Sequence, residues 1–283
     1  FMAYPAIVFV GGLFRSWVAI GLTLFMFLNW QFVAPKIRVL TEKTKSSTLS
    51  GFFENRLKDH SGLIRLFSAA LCLLFYTIYI SAGLLGLGFI AESMFGLPYM
   101  TGIMLGVTLI VSYVLIGGFV TLAWLDLFQG LFLLLVIIAV PLLLLKDVGG
   151  FEGVYFAISS KHLSFSLFPN PSFTTFFQVI SMSLGWGLGY FGQPHIITKF
   201  MGINDPKSLN KSKYIGMSWM ILSLLAATLV GLVGSALFIT GLKDPQMVFI
   251  EMVKQNFSPF LVGFMLCAVT VSYTHLTLPT TPY

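Results

Sequence analysis

Residues 183–199 read SLGWGLGYFGQPHIITK, within an apolar segment long enough to span a membrane. Four glycines crowd into this stretch and Pro194 follows them. Inside a helix, glycine costs about 1 kcal/mol and proline about 3 kcal/mol relative to alanine. In lipid, backbone freed from helical bonding must be buried in protein or line a cavity. The pattern predicts a broken or closely approached helix beside a polar pathway. Four residues are expected near this pathway: Trp186, Tyr190, Gln193 and His195. The alternative is that the glycines only let a neighbouring helix pack closely.

Composition places the whole chain in a membrane. Of 283 residues, 57% are hydrophobic and only 9% are charged, whereas soluble domains carry about 25% charged residues. A soluble protein could not bury so much apolar surface, so the sequence predicts an all-α integral membrane protein. The net charge of +6 does not indicate nucleic acid, because basic residues of membrane proteins cluster in cytoplasmic loops.

Enzymatic chemistry is not indicated. The sequence has no H-E-x-x-H or G-x-S-x-G motif and no paired carboxylates inside an apolar span. Cys72 and Cys267 both lie in apolar spans, which argues against a disulfide and against a metal site. We therefore expect neither an enzyme nor a cofactor.

The hydrophobic runs predict six complete transmembrane helices and two partial ones. The complete spans are residues 16–34, 62–95, 99–119, 123–145, 173–200 and 214–241, and the partial spans are 1–12 and 258–271. A turn is expected between Phe119 and Asp126. The polar segments 35–61, 146–172, 202–213 and 243–256 are expected to be loops, with a short amphipathic helix on the membrane surface at 49–57.

Both ends of the sequence are unusual. The chain opens in the middle of a hydrophobic run, without a start methionine, and a fragment is therefore expected. Residues 272–283 lose their hydrophobicity in mid-helix. We expect a transporter-like membrane domain at 1–271 and a non-native tail at 272–283.

Basic residues predict the orientation. Residues 35–65 and 199–213 together hold eleven lysines and arginines, and the alternate segments hold five. The positive-inside rule therefore predicts that the basic loops 35–65 and 199–213 are cytoplasmic, in a multi-pass protein of the cytoplasmic membrane.

Two further polar features lie in apolar surroundings. Tyr76 and Tyr79 are three residues apart and share one helix face, and their hydroxyls need a partner, which is either a neighbouring helix or a substrate. Asp126 is either an intramembrane functional carboxylate or an interfacial residue in the favourable first turn of its helix.

The run GWGLGYFGQPHII at 185–197, followed by Phe200 and Met201, resembles the signature of the sodium/solute symporter family, and most closely that of the sodium/proline symporters. Shorter stretches at 16–24, 75–83, 116–119 and 219–222 support the resemblance. It implies a partial LeuT-type core of inverted repeats, in which substrate and sodium bind at broken helices near the midplane.

The resemblance also implies roles for individual residues. Trp186, Tyr190 and Pro194 match residues implicated in proline binding, Tyr79 matches a substrate-binding tyrosine, and Asp126 matches an aspartate implicated in sodium passage. The expected sodium ligands would lie before Phe1 and after Thr270, so no metal ligand is expected in this chain. Sodium would be the coupling ion of a full-length parent, and we expect the fragment to be inactive alone.

The implied function is sodium-coupled symport of proline, with proline, sodium and the lipid bilayer as partners. A symporter for another small solute, such as another amino acid, pantothenate or a sugar, stays open. A membrane sensor module of a histidine kinase also stays open, because related symporter domains can be fused to kinases. No feature of the sequence indicates an oligomeric state.

Overall fold

A computed structural model describes the backbone of residues 2–203 and 205–274. Within that range it describes all side chains except those at 94, 110, 113, 114, 117–123, 126 and 268–274. All regular secondary structure of the described residues is helical, which confirms the all-α prediction.

Twelve α-helices follow one another along the described part of the chain. They are α1 Ala3–Gly11, α2 Trp17–Leu28, α3 Ala34–Thr44, α4 Leu49–Leu57, α5 Leu63–Phe95, α6 Tyr99–Leu144, α7 Gly150–Ser160, α8 Phe173–Gly187, α9 Pro194–Met201, α10 Leu209–Leu237, α11 Val248–Asn256 and α12 Pro259–Thr274. Short 3₁₀ turns occupy Leu13–Ser16, Leu188–Phe191, Pro206–Ser208 and Pro245–Met247, and a π-helical turn occupies Asn29–Val33.

Several helical segments are long and apolar enough to cross a bilayer. Among the described residues there are four: Leu13–Thr44, Leu63–Ser93, Leu127–Leu144 and Pro206–Leu237. A bilayer core about 30 Å thick needs about 20 apolar residues per helix, and each of these segments approaches or exceeds that length. They support an integral membrane protein.

Helix α6 differs from the prediction. The turn expected between Phe119 and Asp126 is absent, and one continuous helix runs from Tyr99 to Leu144. Proline first appears in this helix at Pro141. The glycine pair at 117–118 costs about 1 kcal/mol per residue, and the helix continues through it.

Helices also fill segments that were expected to be loops. α3, α7 and α11 lie in the polar segments 35–61, 146–172 and 243–256, where those predictions were wrong. Helix continues past Pro35 because a proline near the start of α3 has no N–H that needs a partner. The π-helical turn just before it gives the ring extra space. The short helix at 49–57 is confirmed as α4, with Thr48 capping its N-terminus.

The described chain divides into two compact units. Unit 1 comprises residues 2–27, Leu131–Tyr190 and Tyr214–Val269, and unit 2 comprises Leu28–Gly130, Phe191–Lys213 and residues 270–274. In unit 1, α1 packs closely on α10: a Cβ at Gly231 would lie 2.6 Å from Cβ of Val8. The Ser235 hydroxyl donates to the Phe9 carbonyl at 2.8 Å, and Val8, Phe249 and Ile250 are fully buried.

Unit 2 is built around the contact of α3 and α4 with α9. Phe200 of α9 packs with Ala34 and Leu209, and Ile197 packs with Leu49 and Phe52. The Arg38 guanidinium donates to the carbonyl of Ile203, just after α9, and pairs with Glu42 one turn away on α3. These contacts fix the position of α9 within the unit.

Candidate functional site

The glycine-rich stretch contains a helix break. α8 ends at Gly187, a 3₁₀ turn covers Leu188–Phe191, and α9 begins at Pro194. Gln193 between them is extended, with φ −70° and ψ 113°. The predicted interruption is therefore confirmed.

Proline, more than glycine, accounts for the break. The residue before a proline is driven out of the helical region by the pyrrolidine ring, and Gln193 shows this conformation. None of the glycines at 185, 187, 189 and 192 has a positive φ. Left-handed backbone freedom, the usual reason for glycine in a turn, is therefore not used here.

The glycines have two different surroundings. A Cβ on Gly187 would lie 2.8 Å from Cγ of Phe25 on α2, and one on Gly21 of α2 would lie 2.6 Å from the carbonyl oxygen of Ser183. These glycines let α2 and α8 approach closely, as small residues do in membrane proteins. At Gly185 and Gly192 a Cβ would meet nothing within 4 Å. The close-packing explanation thus holds for Gly187, whereas Gly185 and Gly192 face open space.

Trp186 and Tyr190 belong to unit 1 and have different neighbours. Trp186 is 46% exposed and lines a cavity of about 780 Å³. The Tyr190 hydroxyl lies 4.0 Å from the sulfur of Met220 on α10. Because α8 ends between the two residues, they are not on one helical face, and Tyr190 does not line the cavity that Trp186 lines. Their spacing of four residues would place them on one face of an unbroken helix, and the end of α8 at Gly187 removes that arrangement.

Tyr79 and Pro194 belong to unit 2, where the structure brings them close. The Tyr79 ring on α5 stacks on the ring of His195, the residue after Pro194, with centroids 5.3 Å apart and planes 17° apart. Tyr79 therefore lies at the N-terminus of α9. Gln193 makes no side-chain capping bond there, and the partial positive charge of a helix N-terminus favours an anionic group.

Asp126 lies on α6, but its side chain is outside the described residues. Among the described residues, no cluster of three or more His, Cys, Asp or Glu side chains could hold a metal ion.

Two charged residues that the sequence did not single out line the same cavity as Trp186. Arg15 and Asp244 contribute opposite charges, and Ser181 and Gln246 contribute neutral polar groups. Their signal in the sequence was weak, since each is one charge at the end of an apolar span.

A sequence model of the sodium:solute symporter family matches residues 1–273. The chain belongs to the sodium:solute symporter family. This assignment confirms the resemblance drawn from residues 185–197. It also identifies the chain as part of a transporter family and implies sodium as the ion that the family couples to transport.

Individual relatives are similar along the same residues. The chain is 39% identical over 273 residues to the high-affinity proline transporter PutP of Bacillus subtilis, covering 95% of this chain and 57% of the relative. Sodium/proline symporter 2 of Staphylococcus saprophyticus is 38% identical over 95% of this chain and 52% of its own length. The osmoregulated proline transporter OpuE of Bacillus subtilis is 37% identical over 95% of this chain and 55% of its own length. The chain spans about half the length of these relatives.

Proposed function

We propose that this chain forms part of a sodium-coupled symporter that carries proline across the cytoplasmic membrane. The relatives at 37–39% identity are named as proline transporters or sodium/proline symporters. The observation that carries the proposal is the interruption between Gly187 and Pro194 in an otherwise apolar helical segment. Non-helical backbone at membrane depth is expected only where it faces protein or a polar cavity.

The break has the chemistry that a small zwitterion requires. The N-terminus of α9 offers N–H groups and a helix dipole to the carboxylate, and Tyr79, whose ring stacks on His195, carries a hydroxyl that can be a second donor. Trp186 supplies an apolar wall for the pyrrolidine ring, and Tyr190 a second aromatic surface. Pro194 maintains the break. In this proposal Tyr79, Trp186, Tyr190 and Pro194 bind proline, and Asp126 belongs to the route by which sodium leaves.

The membrane arrangement is part of the proposal. We assign a LeuT-type core, with substrate and sodium near the midplane at broken helices. The basic segments 35–65 and 199–213 face the cytoplasm. Arg15 lies near the first end of the span Leu13–Thr44, whose other end enters the first basic segment, and Asp244 follows the far end of the span Pro206–Leu237, which begins in the second. Both charges therefore lie on the opposite, outer side.

The test is uptake by a chimera in which residues 1–273 replace the matching segment of the Bacillus subtilis PutP protein. Cells without their own proline uptake should accumulate radiolabelled proline in sodium but not in choline medium. Trp186→Ala and Tyr190→Ala should each lower uptake at low proline concentration about tenfold, the equivalent of about 1.4 kcal/mol. Trp219→Ala, an exposed tryptophan on α10, is the matched control and should transport normally.

Two results would contradict the proposal. Sodium-independent accumulation by a chimera that reaches the membrane would refute sodium coupling. Unchanged kinetics in both Trp186→Ala and Tyr190→Ala would refute the assignment of the aromatic wall.

A further inference from the structure

A groove of about 590 Å³ runs between α2 and α10, and its lining residues all belong to unit 1. Ten of the thirteen residues that line it are apolar, three carry a hydroxyl group, and none of these described residues is charged. A zwitterion would lose the hydration of both its charges there without gaining a partner, so the groove does not suit an amino acid. We propose that it binds one acyl chain of a membrane phospholipid, whose ester carbonyl accepts a hydrogen bond from Ser16.

The two walls of the groove are helical faces that are open on one side. On α2, Ile20, Leu24 and Phe27 follow one another at spacings of three and four residues, as on one helix face. On α10, Ile221 and Leu225 do the same, and all five side chains are between 39% and 59% exposed. Both helices belong to segments long and apolar enough to cross a bilayer. In a membrane, the open side of the groove therefore meets lipid.

The dimensions of the groove fit a hydrocarbon chain better than a helix. Its wall on α2 extends from Leu13 to Phe27, which is about 20 Å of helix and exceeds the thickness of about 15 Å that one leaflet contributes to the hydrocarbon core. A volume of about 590 Å³ over this length leaves a channel only about 6 Å wide, whereas a helix with its side chains is about 10–12 Å wide. A chain whose carbon contacts are about 4 Å fits this width.

Ser16 gives the groove a hydrogen-bond donor that the protein does not use. It is 7% exposed, and its hydroxyl makes no hydrogen bond with the described residues. The other hydroxyls in the groove, on Thr23 and Thr228, each donate to a carbonyl one turn back on their own helix at 2.8 Å. Tyr4 lies near Ser16, but it donates its proton to Thr228 at 2.7 Å. A buried donor without an acceptor is costly, and a ligand carbonyl would remove that cost.

The position of Ser16 along the span matches the depth of a lipid ester. It lies three residues inside the first end of the span Leu13–Thr44, where the hydrocarbon core borders the interfacial region. The next residue, Trp17, donates its indole N–H to the carbonyl of Leu167 at 2.9 Å, and tryptophan is enriched at this level of a membrane. Leu167 also lines the groove. The ester carbonyl would thus lie at Ser16 and the acyl chain would run along α2 towards its C-terminal end.

Two effects should favour a lipid in the groove over a lipid elsewhere in the bilayer. Burial of the chain gives no hydrophobic gain, because the surrounding lipid tails are equally apolar. The preference must come from van der Waals contact with two helices at once and from the bond of Ser16 to the ester. Since no charge on the described residues lines the groove, phosphatidylglycerol and phosphatidylethanolamine should bind equally well.

The first experiment measures thermal unfolding of the PutP chimera in alkyl maltoside with dioleoylphosphatidylglycerol or its dialkyl ether analogue, which lacks the ester carbonyls. The ester lipid should raise Tm by about 3 °C, and about two- to tenfold more ether lipid should be needed for the same rise. Ser16→Ala should melt no lower than wild type without lipid and should respond equally to both lipids. Thr23→Val, in the same groove, should keep the preference for the ester. A preference for the ester that persists in Ser16→Ala would overturn the role of Ser16.

The second experiment tests the occupant. In membranes that contain the chimera, phosphatidylglycerol with a photoreactive diazirine in mid-chain should label residues 13–27 and 217–228. Leu225→Trp should lose most of this labelling because the indole fills the groove. Leu222→Trp, which changes an exposed leucine of α10 outside the groove, should keep it. Equal labelling in both variants would overturn the proposal. Absence of labelling in the unmutated chimera would mean that another helix covers the groove, and would also overturn it.

The proposal goes beyond the proposed function and does not depend on it. Neither experiment requires uptake of proline or the presence of sodium. A chimera that fails to transport proline can therefore still show the lipid site, and a chimera without the lipid site can still transport proline.

Discussion

Gly187→Ala is expected to destabilise the protein, whereas Gly185→Ala, the same change two residues earlier on α8, is not. At Gly187 the new methyl group would lie 2.8 Å from Cγ of Phe25 and 3.1 Å from Cε2, so the ring must move. At Gly185 the methyl group would meet nothing within 4 Å. The pair therefore separates close packing from helix propensity at neighbouring positions.

The magnitude follows from two opposing effects. Overpacking of this kind costs about 1–3 kcal/mol, and replacing a helical glycine with alanine regains up to about 1 kcal/mol. Gly187→Ala should thus lose about 0–2 kcal/mol net, and Gly185→Ala should gain about 0.5–1 kcal/mol. The two variants should differ in unfolding free energy by about 1–3 kcal/mol.

Thermal unfolding in one detergent is the assay. For a chain of this size each kcal/mol shifts Tm by about 2–4 °C, so Gly187→Ala should melt several degrees below Gly185→Ala. In a Phe25→Ala background the deficit of Gly187→Ala should disappear, because the opposing ring is gone. A Gly187→Ala variant that melts at or above Gly185→Ala would refute the close approach of α2 and α8.

Two further predictions concern groups outside the spans. Lys161→Met should destabilise unit 1 by about 2 kcal/mol, because the Lys161 ammonium donates two 2.8 Å hydrogen bonds to carbonyls at the end of α10. The control Lys146→Met, at an exposed position, should leave Tm unchanged. Asp59→Asn should reduce hydrogen-exchange protection in the first turn of α5, whose N–H the carboxylate accepts. The bond from the Ser61 hydroxyl is the main cause that lowers the pKa of Asp59. The stabilisation by the ionised Asp59 carboxylate is therefore fully present above the unfolded pKa of about 3.9 and is lost as pH falls through the lower folded pKa. Below that pH the exchange protection of the variant and of the wild type should be equal.

The break could be predicted from the sequence because its causes are local. Pro194 has no N–H and forces Gln193 out of the helix wherever the segment lies. The span at 62–95 could also be predicted, and α5 runs from Leu63 to Phe95. Its two ends are set by Gly62 and Gly96, which flank the helix in the left-handed conformation. In both cases the residues that set the structure are adjacent in sequence.

Other features depend on partners far along the chain. The contact of Gly187 with Phe25 and the stacking of Tyr79 on His195 join residues more than one hundred positions apart, and no local pattern indicates either pair. The helical segments α7 and α11 were missed because their polar residues suggested loops. Their apolar residues, such as Ile158, Phe249 and Ile250, are instead buried within unit 1. Arg15 and Asp244 line one cavity only because folding brings their segments together.

The most direct test of the central claim is substrate protection at the break itself. Gly192→Cys has room for its side chain, because nothing lies within 4 Å of a Cβ there, and Cys72→Ser and Cys267→Ser remove the two native thiols. In membranes that contain the chimera, sodium and proline together should slow maleimide labelling of the cysteine at 192. Labelling of Phe156→Cys, at an exposed position on α7, should not change. Equal labelling at 192 with and without proline, in a chimera that still takes up proline, would contradict the claim that the interrupted helix holds the substrate.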